Sequence, residues 1–176
     1  ALNCETLEWD QIKVPENWSI AVIHCGDARQ LTDGAYNERS AALDKAAEQL
    51  GPECLRNQTV AAVAKIKDPL VARRLRHVLS EQARTLAATQ ALRVGDMELL
   101  GSLMNESHAS LRLDFEVSTT ALDHLVKAAR EAGATGARLT GAGFGGCIVA
   151  LIPKTQRDEW WHVVSSACPA AWAVEI

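Results

Sequence analysis

The stretch "GARLTGAGFGGCIVALIP", Gly136 to Pro153, places four glycines within residues 141–146, between two apolar runs. The run after the glycines, "CIVALIP", is apolar and β-branched throughout and reads as a buried strand, with a second strand before the glycines. Ordering glycine is entropically expensive. Four together therefore mark a connection that needs positive φ or lets another group approach bare backbone. Two familiar nucleotide loops use glycine this way, and neither fits. A dinucleotide fingerprint opens a helix inside the glycine run so that the helix N-terminus meets a pyrophosphate, whereas here a strand follows. A phosphate loop places a lysine and a hydroxyl residue after its last glycine, where Cys147 and Ile148 stand. A tight, bulged hairpin and a close contact with another segment both remain, and spacing does not choose between them.

Working outward, Ser118 to Gly133 reads as a helix with Leu122, Leu125, Val126 and Ala129 on one face and a glycine suited to a left-handed cap. After the hairpin, "PKTQRDEWWHVVSSA" reads as a helix and "AAWAVEI" as a closing strand, with Pro169 between them. At the other end, "ALNCETLEW" reads as extended, Pro15-Glu16-Asn17 as a turn, and Ser19 to Cys25 as a buried strand. Thr32 or Asp33 caps a helix on which Tyr36, Arg39, Leu43, Ala46, Ala47 and Leu50 recur, stopped by Gly51-Pro52. A short helical stretch covers Thr59 to Lys65. Asp68 and Pro69 then open a long helix whose predicted stripe is Leu75, Val78, Leu79 and Leu86, ended by Gly95. Asp96 caps its antiparallel neighbour, which carries Met97, Leu100, Leu103 and Met104. The order is strand, helices, strand, strand, helix, strand. It predicts an α+β fold, a ferredoxin-like split βαβ sandwich with extra helices in the first crossover.

The 176 residues, 48% of them hydrophobic, suffice for one substantial core, and no repeat or flexible linker interrupts them. No apolar run reaches the ~20 residues a membrane helix needs, and the start lacks the features of a secretory signal, so no membrane partner and a cytoplasmic location are expected. Cys4, Cys25, Cys54, Cys147 and Cys168 are scattered without a CxxC pair, which suggests thiols rather than disulfides or a zinc knuckle. A net charge of −4 argues against a nucleic-acid partner, and the Arg73, Arg74, Arg76 and Arg84 cluster reads as a solvated or salt-bridged helix face. His24, His77, His124 and His162 show no metal-ligand spacing, so no metal site is expected. Ser107, His108 and Asp114 hold the ingredients of a nucleophilic triad. Adjacent helical residues point in different directions, however, so hydrogen bonding at a helix end is the expected use of Asn105, Ser107 and His108.

The segment "MNESHASLRLDFEVSTTALDHLVKAA" (Met104–Ala129), followed by "GARLTGAGFGGCIVALIP", resembles the C-terminal part of galactokinases. These belong to the GHMP kinases, a superfamily of small-metabolite kinases that also includes homoserine, mevalonate and phosphomevalonate kinases. "LTDGAYNERS", Leu31 to Ser40, extends the likeness over most of the chain. The resemblance implies that residues 1–176 form a GHMP kinase C-terminal domain, with residues 1–17 as the tail of an N-terminal domain. That upstream half, which nothing here matches, would bind ATP and Mg2+ and supply the catalytic aspartate and arginine. No catalytic residue is expected in this chain, and alone it should be inactive.

The resemblance also implies the site residues. Tyr36, within "YNER", matches the family tyrosine whose hydroxyl bonds galactose. Gly141, Gly143, Gly145 and Gly146 match a loop that lies against the ATP phosphate-binding loop of the other half and walls the active site. Two positions depart from the family pattern. Ser40 replaces a common second arginine, and Ala142 replaces a glycine, which fits if its φ stays negative. The implied activity is transfer of the γ-phosphoryl of ATP to the anomeric hydroxyl of α-D-galactose. The alternatives are a kinase for a related amino sugar or uronic acid, and a non-catalytic sugar-binding or regulatory module.

Overall fold

Along the first strand Ala21, Ile23 and Cys25 are buried while Ile20, Val22 and His24 are not, the period-two pattern of a strand with one face on a core. The computed structural model describes residues 1–3, 6–28, 33–51 and 55–175. Its strands are β1 (Trp18–His24), β2 (Gly136–Thr140), β3 (Cys147–Pro153) and β4 (Trp172–Glu175). They form one sheet in the order β2-β3-β1-β4, with every neighbouring pair antiparallel. That order is the ferredoxin-like arrangement predicted for the sequence.

Helices α1 (Asp33–Leu50), α2 (Pro69–Val94), α3 (Met97–Leu113) and α4 (Thr120–Glu131) all lie in the first crossover, and α5 (Arg157–Ala167) in the second. The main core joins the inward residues of β1, β2 and β3 to Leu122, Leu125, Val126 and Ala129 of α4 and to Trp160 and Val164 of α5. Fully burying each large aliphatic side chain contributes about 1.5–3 kcal/mol. Trp160 also donates its indole N–H to the Ala129 carbonyl at 2.8 Å, so α5 is fixed to the end of α4, while Trp161 is only half-buried. A second cluster joins Ala42 and Ala46 of α1 to Val71, Leu75 and Leu79 of α2 through Ala62 and Ile66.

The capping signals are used as the sequence suggests. Asp68 accepts from the Leu70 and Val71 amides at 2.8 and 3.3 Å, with Pro69 at the first helical position. Asp96 accepts from Leu99, and Gly95 between the two helices takes φ 76°. Thr119 caps α4, which therefore starts at Thr120 rather than Ser118. The Thr59–Lys65 stretch is a 3-10 helix, Val60–Lys65. Of the two expected caps of α1, Thr32 lies outside the described residues, as does Pro52 of the expected stop, and Asp33 is the first residue of the helix.

Two expectations need correction. Leu86 is 67% exposed, and the buried polar face of α2 is instead Arg74 and His77. The stripe bends because α2 meets α1 early in its length and α3 across another side, so a single apolar line does not serve both. Nor are the described residues of the initial segment extended throughout, since the chain turns at Thr6 and Leu7. Leu2 and Trp9 form an isolated antiparallel bridge closed by Asn3 N–H to Glu8 O and Leu7 N–H to Asn3 O, with Leu7 at φ 60°.

Helix α3 runs beside the outer edge of β2. Asn105 accepts the Ala137 N–H at 3.1 Å and donates to the Thr135 carbonyl at 3.2 Å, and His108 Nδ1 accepts the Leu139 N–H at 3.4 Å. Gly101 makes the approach possible, because a Cβ there would sit 2.6 Å from the Thr135 oxygen. Facing it, Gly136 would place a Cβ 2.5 Å from the Gly101 Cα.

Candidate functional site

In the loop between β2 and β3, Gly141, Gly143, Gly145 and Gly146 have φ of 82, 80, 109 and 87°. Phe144 shares the left-handed region at 58°, and Ala142 does not. The glycine at 143 is required for space as well as for φ. A Cβ on it would lie 2.8 Å from Val117 Cβ and closer still to the Val117 carbonyl, and one on Gly145 would lie 3.0 Å from the Asp27 oxygen. Phe144 N–H donates to Val117 O at 2.8 Å, Gly146 N–H to Asp27 O at 3.2 Å, and Cys25 N–H to Gly146 O at 2.8 Å. Of the two readings of the glycines, the close contact is realised. Its partners are the segment after α3 and the residues that follow β1, both in this chain.

That segment, Asp114 to Val117, is a meeting point. Its four consecutive carbonyls accept from three elements: Asp114 O from Arg74 (2.6 Å), Phe115 O and Glu116 O from Arg39 Nε and Nη2 (3.2 and 2.8 Å), and Val117 O from Phe144. Glu116 stands at φ 54°, uncommon for a residue with a Cβ. Arg73 and Arg74 bind its carboxylate at 2.7 and 2.6 Å. These hydrogen bonds, Arg74's foremost, outweigh desolvation and hold the Glu116 carboxyl below the usual range. Arg39 is buried, and its guanidinium lies over the Phe144 ring, 5.4 Å from the centroid.

Tyr36 lies in the first turn of α1, three residues before Arg39 and so on a neighbouring helical position; its side chain is outside the described residues. Ser40 is exposed. The structure thus brings α1's first turns, the Asp114–Val117 segment and the glycine loop together.

Ser107 and His108 do not converge with Asp114. Ser107 donates to Glu81 of α2, whereas His108 turns to β2 and to Asp123 of α4, 3.3 Å from its Nε2. Nδ1 can accept the Leu139 N–H only when unprotonated, so the proton resides on Nε2, toward Asp123. Burial, the largest influence, holds the His108 pKa below its ordinary value, in keeping with a neutral ring. These residues sit mid-helix and bond across to other elements, which corrects the expected helix-end role. Glu81 takes Arg84 at 2.7 Å and Arg138 at 3.5 Å as well as Ser107. Burial would raise its pKa, but these partners hold it low.

His77 is buried, stacked on Phe115 at 4.5 Å, with Nδ1 3.0 Å from Ser110 Oγ. Ser110 spends its proton on Asp114 at 3.0 Å, so His77 must be the donor to it. Burial lowers the His77 pKa to about 4. The arginine cluster is salt-bridged, as one of its two readings had it: Arg73 and Arg74 to Glu116, Arg76 to Asp114, Arg84 to Glu81.

Sequence reasoning passed over Arg39, Glu116 and Phe144 as site residues. The signal was present at Arg39, a charged residue on the otherwise apolar helical spacing of α1. Among the described residues no group of three or more His, Cys, Asp or Glu could hold a metal ion, and no helix is long and apolar enough to cross a membrane. Cys25, Cys147 and Cys168 are in no disulfide, and Cys4 and Cys54 fall outside the described residues.

Residues 88–170 match the family described as GHMP kinases, C terminal. Among solved structures, the chain is similar to galactokinase from Lactococcus lactis complexed with galactose: 31% identity, TM-score 0.89, 99% of this chain and 50% of that one. Mevalonate kinase from L. major in complex with R-mevalonate follows at 26% identity and TM-score 0.60, with 91% of this chain and 43% of that one covered. Streptococcus pneumoniae phosphomevalonate kinase, at 15% identity and TM-score 0.62, shares the fold. The chain spans about half the length of these relatives. The matched segment contains α3, the Asp114–Val117 meeting point and the glycine loop, and it is these residues that carry the C-terminal domain of the GHMP kinase superfamily.

Proposed function

We propose that this chain is the C-terminal half of a galactokinase, working with an upstream half to phosphorylate the anomeric hydroxyl of α-D-galactose. The observation that carries this is the likeness to the galactose-bound L. lactis enzyme, which extends over 99% of the chain at TM-score 0.89, against 0.60 for the mevalonate kinase. ATP with Mg2+ would supply the γ-phosphoryl group and its charge neutralisation. The described residues do not fit that pair. They offer no carboxylate cluster for the metal, and Glu116, beside the loop, is already held by two arginines. ATP and Mg2+ are therefore assigned to the upstream half.

This chain's part is to bind and orient. Tyr36 offers a phenol that can both donate to and accept from a sugar hydroxyl, on a helix held to the glycine loop through Arg39. The loop of Gly141, Gly143, Gly145 and Gly146 forms a wall of the cleft, held in place where Gly143 packs against Val117 and Gly145 and Gly146 meet Asp27. Residues 1–17 read as the end of the upstream domain. They are tied to α2 by Asp10 and Arg93 at 2.7 Å and leave Leu2, Leu7 and Trp9 largely exposed.

The test is ADP release by this chain, alone and mixed with a galactokinase N-terminal half, over galactose, an amino sugar and a uronic acid. We expect no turnover alone and galactose-dependent turnover in the mixture. Turnover by the isolated chain, or a mixture that is silent or prefers another sugar, overturns the reading.

A further inference from the structure

We propose that Arg39 is a positioning residue that couples the first turns of α1 to the glycine loop. Its guanidinium has two working surfaces. The edge carrying Nε and Nη2 binds the adjacent carbonyls of Phe115 and Glu116, and the flat face covers Phe144. Phe144 in turn donates its own amide to Val117, the next carbonyl along. Helix and loop are thus anchored to the same three peptide units, and one buried side chain touches both.

The anchor itself is stiff. Glu116 is held at positive φ by Arg73 and Arg74, Arg74 also binds Asp114 O, and Arg74 is 1% exposed. A shift of the loop at Phe144 therefore cannot be absorbed in residues 114–117 and reaches α1 through Arg39. Lysine cannot replace this function, because its donors all radiate from one nitrogen and it has neither the rigid two-nitrogen edge nor the planar face. The coupling is a property of this chain alone. Its consequence for catalysis rests on the proposed reading, in which Tyr36 on α1 contacts the sugar and the loop walls the cleft.

The experiment compares Arg39→Lys with the parent chain in two measurements. By amide hydrogen exchange on the chain itself, the Phe144 amide should exchange at least tenfold faster, with the β3 core amides of Ile148 and Ala150 unchanged. In the mixture with the upstream half, the KM for sugar should rise at least fivefold and by more than kcat falls. An unchanged Phe144 amide, or one uniform acceleration at every amide, overturns the coupling. Faster loop exchange with an unaltered sugar KM overturns the positioning role. Faster loop exchange in a mixture inactive even with the parent chain upholds the coupling and refutes the kinase reading instead. Should the lysine variant not fold, Phe144→Leu retains the amide and removes the ring. It should speed exchange of the α1 amides of Asn37 to Ser40, and no change there would refute the coupling.

Discussion

Replacing Gly101 by alanine sets two effects of opposite sign against each other. Gly101 is inside α3 with no unusual φ, so helix propensity alone favours alanine by about 0.8–1.0 kcal/mol. Against this, the new Cβ would stand 2.6 Å from the Thr135 oxygen, whereas ordinary contact begins at 3.4 Å. The obstacle is backbone of the turn into β2 and cannot rotate away. Helix and strand must separate by ~0.8 Å, the difference between those distances, if the clash is fully relieved. The hydrogen bonds across this seam measure 3.1, 3.2 and 3.4 Å, and opening it by that amount takes all three beyond hydrogen-bonding reach. Each is worth about 1 kcal/mol net, and more where a buried group is left unpaired. The seam therefore loses about 3 kcal/mol and regains about 1, for a net destabilisation of ~2 kcal/mol. Urea denaturation of Gly101→Ala should show a lower midpoint at unchanged m-value. A midpoint equal to or above that of the parent would refute the argument that the Gly101–Gly136 contact is tight and that the Asn105 and His108 bonds depend on it.

Two further substitutions test other parts of the account. Gly143→Ala should cost at least ~2 kcal/mol more than Gly95→Ala, since both glycines have positive φ but only Gly143 faces a neighbour, Val117, while the space beside Gly95 is open; equal losses in paired denaturation curves would remove the steric part of the argument. His77 has a folded pKa lowered to about 4 from 6.5, chiefly by burial, so the unfolded chain binds a proton that the folded chain refuses, and stability falls as pH drops through that window. The gap is worth ~3 kcal/mol, and His77→Gln should give a flatter stability profile between pH 6.5 and 4 than the parent chain, in which Glu81, Arg84, Asp114 and Arg138 face the ring unchanged; parallel profiles would show that His77 is not the titrating group.

The fold was legible where local chemistry decides it. The caps Asp68 and Asp96, the apolar face of α4 and the period-two pattern of β1 each report a backbone state that neighbours in sequence largely determine. The glycines at 143 and 145 also announced a close approach, but not to what, because Val117 and Asp27 are distant in sequence. Leu86 was misplaced for the same reason. A helix with several partners buries several short stripes, and charged Arg74 can occupy one when Glu116 and a backbone carbonyl await it. The role of Arg39 required knowing that residues 115, 116 and 144 meet, information that only the assembled chain contains. Tyr36 stands differently, since its proposed part rests on likeness to a family, while the structure describes the helix that carries it.

The seam between α3 and β2 also bears on how the molecule meets its own copies. A sheet edge with a free row of N–H and C=O groups is a template for aggregation, and edges are commonly blunted against it. Here the Ala137 and Leu139 amides are occupied by Asn105 and His108, so an incoming strand finds no open row along β2. At the opposite edge β4 is four residues long and slips register against β1 between Val22 and Ile23, a short and irregular template. The long, apolar β1, which would be the most hazardous strand to expose, is enclosed between β3 and β4. Two side chains on a helix thus serve as a barrier against runaway strand addition.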